Sequence, residues 1–157
     1  MKKKKDKIDR LLEVYRVTSA QRKAKREKKE KQAREKQEAR ARFEEELKNK
    51  ITGVFRPVMQ QLLSRLDKKQ FIIKHDGLDT FPGIGEQYGV TARDEETVDF
   101  WLAVTANDNR NKACFTYAWS TNLSVEKVVS LYLDVDEIDE KLISKKFMHC
   151  LQKICIS

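Results

Sequence analysis

From Ser19 to Arg42 the chain reads SAQRKAKREKKEKQAREKQEARAR, with no aromatic, no aliphatic side chain larger than alanine, and no glycine or proline. Such a run has nothing apolar to bury and cannot line a core, yet its residue types are strong helix formers. Its charges recur at helical neighbour spacing, as in Lys23 with Glu27, Arg26 with Glu30, Lys31 with Glu35 and Arg34 with Glu38. Each i to i+4 pair contributes only about 0.2–0.5 kcal/mol, but overlapping ladders hold a helix that has no buried face. The expectation is a helix solvated all round, rising about 1.5 Å per residue.

That run divides the chain's chemistry. Residues 1–66 hold 22 Lys and Arg against 10 Asp and Glu, and residues 67–157 hold 11 against 15. The net charge of +8 is therefore +12 from the first part and −4 from the second. Both tryptophans, and all but one each of the tyrosines and glycines, follow residue 66. Two parts are expected: a basic helical stalk over 1–66 and a small α+β head over 67–157, near the lower limit of what folds alone.

Two apolar stripes interrupt the stalk. Ile8, Leu11, Leu12 and Tyr15 follow spacings of three and four and mark one face of about two helical turns. Phe43, Leu47, Ile51, Val54, Val58, Leu62 and Leu66, widened by Phe55 and Met59, form a longer amphipathic helix. Pro57 removes a helical hydrogen bond and Gly53 weakens the same turn, so a kink or break is expected near Val54–Pro57. The second stripe fits equally a short coiled-coil seam and a helix packed on the head's own sheet.

After Leu66 the apolar period shortens from 3.6 to 2. QFIIKHDG reads as a strand. TVDFWLAVTAND alternates Val98, Phe100, Leu102 and Val104 against Asp99, Trp101, Ala103 and Thr105; NDNRNK is a turn, and ACFTYAWS is the returning strand of a hairpin over 97–120. GLDTFPGIGEQYGVTARDE is expected as a long loop with a short strand at its end. Residues 125–133 carry two patterns: Val125, Val128, Val129 and Tyr132 read as helix behind Ser124, while Val129, Leu131 and Leu133 read as strand. Helix is the expectation. Asp136 is then expected to cap a final helix, with Asp139 at the box position and Ile138, Leu142, Phe147, Leu151 and Ile154 inside. The fold class is α+β: a long charged N-terminal helix with a coiled coil as one option for its ends, kinked near Pro57, then an antiparallel sheet with C-terminal helices.

Signatures of chemistry are sparse. Cys114, Cys150 and Cys155 are odd in number and lack metal spacing, and the last two sit on opposite faces of one helix. DVDEIDE gathers carboxylates but lacks the glycine and terminal glutamate of a calcium loop; its acids suit a helix N-terminus. PGIGEQYG is neither a phosphate loop nor a dinucleotide fingerprint. His75, with Asp76 or Asp79 as orienter, supports only a minor hydrolase reading, because no nucleophile stands in a recognisable turn. Trp101, Tyr117 and Trp119 suit core packing, with a stacking platform as the alternative.

No catalytic residue, cofactor site or metal site is assigned, and the expected function is non-enzymatic. The stalk tethers the head to a protein partner, a second copy or a larger complex, docking through Ile8, Leu11, Leu12 and Tyr15. The alternative is a nucleic-acid-binding accessory factor with Lys2, Lys3, Lys4, Lys5, Arg22, Lys23, Lys25, Arg26, Lys28 and Lys29 on phosphates. No apolar run approaches the roughly 20 residues that span a bilayer. A soluble, cytoplasmic protein is therefore expected.

Overall fold

The computed structural model describes residues 2–95, 97–107, 110–122 and 124–156, and the side chains of Lys2–Lys5, Ser124 and Val125 lie outside the described ones. The chain divides into two units, residues 1–40 and 41–157. The first is the leading part of a single long helix, α1 (Lys2–Lys50). From Asp6 to Glu38 every side chain is exposed except that of Thr18, which is half-buried. Strong helix formers thus hold a helix with no core of its own, and Arg16 donates to Glu13 at 2.6 Å across one turn.

The second unit is α+β, and its helical layer starts inside α1. Phe43 and Leu47 are buried, and the backbone then widens into a π-turn over Ile51–Phe55, where the Arg56 N–H bonds to the carbonyl of Ile51, five residues back. Helix α2 (Arg56–Leu63) follows with Pro57 in its first turn, where the missing N–H costs little. The interruption expected near Val54–Pro57 therefore takes the form of a widened turn. Its extra residue shifts the buried face: after Ile51 the deepest side chains are Phe55, Met59 and Leu63, while Val54, Leu62 and Leu66 are only partly covered. The stripe is buried in the chain's own core, as expected of a helix packed on the head's own sheet.

Five strands form one antiparallel sheet in sequence order: β1 (Phe71–Asp76), β2 (Gly85–Ala92), β3 (Asp99–Ala106), β4 (Ala113–Thr121) and β5 (Ser124–Leu133). The expected hairpin is β3–β4, in register from Asp99 opposite Ser120 to Ala106 opposite Ala113. Side chains alternate faces. On the helix-covered face Val90, Phe100, Leu102, Val104 and Phe115 are at most 1 % exposed. Phe55 meets Tyr88 and Phe115 edge-on at 5.7 and 6.3 Å, and Phe147 meets Phe100 at 5.4 Å.

Four expectations are corrected. The loop expected over 77–95 ends early, and β2 is a full strand paired on both sides. Its glycines hide the pattern, yet Gly85 is required there, since a Cβ would come within 2.7 Å of the Phe81 ring. Residues 124–133 are strand β5 rather than helix, paired with β4 from Ala113 opposite Leu133 to Trp119 opposite Lys127. Pairing with β4 buries Val129, Leu131 and Leu133 in part and leaves Val128 and Tyr132 exposed, so tertiary pairing overrides the helical spacing. One C-terminal helix follows, α3 (Glu140–Ile156), rather than two. Its cap is Asp139, whose carboxylate accepts the Leu142 N–H at 2.8 Å, while Asp136 lies in a preceding 3₁₀ turn, Val135–Glu137. The buried stripe is accordingly Ile143, Phe147, Cys150 and Ile154, with Cys155 exposed on the other side.

Candidate functional site

In the first unit the expected docking residues stand open to solvent: Ile8 is 57 % exposed, Leu11 and Leu12 61 %, and Tyr15 65 %. Val14 and Val17 are exposed as well, off the stripe where periodicity gave no reason to mark them. Six large apolar side chains are thus exposed over ten residues of helix, with Ile8, Leu11, Leu12 and Tyr15 on one side and Val14 and Val17 off it. Arg22, Lys23, Lys25, Arg26, Lys28 and Lys29 are exposed too, while the side chains of Lys2, Lys3, Lys4 and Lys5 lie outside the described ones.

The second unit holds a buried polar cluster that no sequence pattern announced. Glu86, on β2, is fully buried among the core side chains, where an unpaired carboxylate would be prohibitively costly. Arg56, from the start of α2, grips it: Nη2 donates to Oε1 at 2.7 Å, and Nε donates to Oε1 at 3.0 Å and to Oε2 at 3.2 Å. The Tyr88 hydroxyl donates to Oε2 at 3.1 Å. His75, opposite Tyr88 in the β1–β2 register, stacks on its ring at 4.2 Å and brings Nε2 to 3.3 Å from Oε1. Hydrogen bonding to Glu86 raises the Arg56 pKa further, and burial raises that of the Tyr88 phenol, followed by the nearby Glu86 charge. The turn after β1 closes over the group, for a Cβ on Gly77 would lie 3.3 Å from both Glu86 Oε1 and His75 Cε1.

This geometry bears on the hydrolase reading. Asp76 follows His75 in the same strand and so points to the opposite face of the sheet, and the carboxylate that reaches His75 comes from β2 instead. That carboxylate is engaged by a guanidinium rather than being free to orient a base. The arrangement pins the start of α2 onto the sheet.

The aromatics expected in the core, with a stacking platform as the alternative, are split between faces. Tyr117 and Trp119 lie under α3, where His149 meets the Trp119 ring at 5.1 Å, Lys146 Nζ lies 5.1 Å from the Tyr117 ring centre, and Lys153 Nζ 5.9 Å from that of Trp119. Burial, then Lys153 and Lys146, hold His149 below the usual histidine range. Trp101 occupies the other face and donates to Glu126 at 3.0 Å. Asp99 stands on that face, its pKa raised by burial and by Glu126 and opposed by Lys74. The depression there, lined by Lys74, Asp99 and Trp101, encloses about 190 Å³, below the usual size of small-molecule sites.

Among the described residues no group of three metal-ligating side chains stands together, and no helix is long and apolar enough to cross a membrane. In the acidic run, Asp139 caps α3 and Asp134 pairs with Lys112, which lowers its pKa. No family model, curated protein or solved structure matches this chain.

Proposed function

We propose that this chain is a non-enzymatic tether, in which the N-terminal helix attaches to a partner or larger complex and the 41–157 unit is what is held there. One observation carries the reading: Ile8, Leu11, Leu12 and Tyr15 form an apolar face more than half exposed, on a unit with no core of its own to cover it. An amphipathic helix with anchors at such spacing suits insertion into a groove. The polar cluster supports the same view from the other side, since Glu86 is engaged in holding α2 to the sheet.

The test compares what co-purifies with the full chain, with the chain lacking residues 1–42, and with Ile8→Ser/Leu12→Ser/Tyr15→Ser. Loss of the same partner in both variants is expected, and its retention in both would reject the tether. The substitutions should leave the urea midpoint of the 41–157 unit unchanged, because exposed side chains contribute within about 0.5 kcal/mol.

A nucleic-acid accessory role is the second reading, favoured by the exposure of Arg22, Lys23, Lys25, Arg26, Lys28 and Lys29. Phosphate binding weakens by orders of magnitude between low and moderate salt, whereas apolar docking does not. A flat salt response rejects it.

A further inference from the structure

The carboxylates of the first unit keep to one side of its helix, while its cations are found all round. Because residues 6–38 form unbroken helix, each position has a fixed bearing, at about 100° per residue. Ile8, Leu11 and Tyr15 fall within one arc of about 120°, and so, further along, do Arg22, Lys25, Arg26, Lys29 and Lys36. None of the seven carboxylates from Asp6 to Glu38 shares that arc; the nearest, Glu30, stands about 20° beyond its edge. All the named side chains of the arc are exposed. The i to i+4 ladders thus coexist with a side that is apolar at one end, cationic along the rest, and free of acid for about 45 Å.

A second copy is a poor occupant, since an antiparallel one would share only the two turns from Ile8 to Tyr15, short of a stable seam. Parallel pairing through Ile8, Leu11 and Tyr15 would continue with Arg22, Lys25, Lys29 and Lys36 at the seam, each facing its own like charge. A nucleic-acid backbone would take the cations but offer nothing to the apolar end. A flat surface with anions at its face and hydrocarbon just beneath satisfies both ends at once. We propose that the carboxylate-free side of this helix is a peripheral contact for an anionic lipid bilayer: Ile8, Leu11 and Tyr15 enter the interface, Arg22, Lys25, Arg26, Lys29 and Lys36 meet the headgroups, and the acids face water. This rests on the tether reading and names what the tether holds to.

The experiment is sedimentation of the full chain with vesicles of phosphatidylcholine alone and of phosphatidylcholine with about one third phosphatidylserine. A 20-base-pair duplex serves as the competing probe. Two variants of equal net charge are compared, Arg22→Gln/Lys25→Gln/Arg26→Gln/Lys29→Gln and Lys23→Gln/Lys28→Gln/Lys31→Gln/Arg34→Gln; glutamine preserves helix propensity. Binding should require phosphatidylserine. At about fivefold per headgroup-facing cation, the first variant should lose at least a hundredfold. The second should lose less than about tenfold, since its charges stand roughly a Debye length away across the helix. Ile8→Ser/Leu11→Ser/Tyr15→Ser should also release the chain with every cation in place. Absence of vesicle binding, equal losses in the two charge variants, or tighter binding to the duplex would each overturn the proposal. If vesicles are ignored while the Ile8, Leu12 and Tyr15 substitutions still remove a co-purifying partner, the lipid assignment fails and the tether stands; if those substitutions change nothing either, both fail.

Discussion

Replacing Glu86 by alanine tests whether the buried ion pair holds the helical layer to the sheet. The substitution removes the fully buried acceptor of the Arg56 guanidinium and of the Tyr88 hydroxyl. Breaking a buried pair from one side costs about 3–5 kcal/mol, because the remaining charge is stranded. Arg56 is 33 % exposed and can recover part of its hydration, which lowers that figure, while the orphaned hydroxyl of Tyr88 adds about 1 kcal/mol. The expected loss is about 3 kcal/mol out of roughly 6–18 for a unit of this length. In urea, with a slope of about 1.5 kcal/mol/M, the midpoint should fall by about 2 M. The fluorescence of Trp101 and Trp119 reports the transition, and Arg56→Met with the double variant completes a cycle whose coupling should exceed about 1 kcal/mol. A loss under about 1 kcal/mol, or additivity within about 0.5 kcal/mol, would refute the argument.

Gly85→Ala should cost about 1–3 kcal/mol, because the new Cβ falls 2.7 Å from Phe81 Cε1 and 3.0 Å from Thr105 Cγ2. Repeating it in a Phe81→Ala background should recover most of the loss, and an unchanged cost there would show that the ring is not the obstacle. Asp139→Ala should lower stability by about 1 kcal/mol through loss of the α3 cap, whereas Asp136→Ala should stay within about 0.5 kcal/mol; thermal melts that reverse this order would place the cap wrongly. His149 has its pKa lowered by burial and two lysines, so the unfolded chain takes up its proton first. Stability should be intact above about pH 6.5, fall as pH drops from there towards the folded pKa, and level off beneath it. His149→Gln should flatten that window in urea midpoints taken at stepped pH, and identical slopes in the two proteins would contradict the assignment.

Much of the head was legible because its signals are local. The β3–β4 hairpin announced itself by strict alternation around a polar turn, and both strands lie where the pattern put them. Residues 124–133 were not legible, since valines and a tyrosine satisfy helical and strand spacing alike, and only the open edge of β4 decides between them. The Arg56–Glu86 pair is 30 residues apart in sequence. Nothing in GIGEQYG distinguishes a carboxylate that will be buried from one on a loop.

What the sequence by itself determined is the unit with no tertiary structure to consult: a helix of residues 6–38 follows from propensity and neighbouring charges, which act within one turn. The confinement of its carboxylates to one side needs only the helical repeat. What only the tertiary structure decided lies in residues 41–157. There the extra residue of the π-turn passes burial from Val54 to Phe55, β2 is paired on both sides in spite of its glycines, and Arg56 meets Glu86. Each of these depends on a surface supplied from far along the chain, and the free energy of burying a side chain belongs to the two surfaces together.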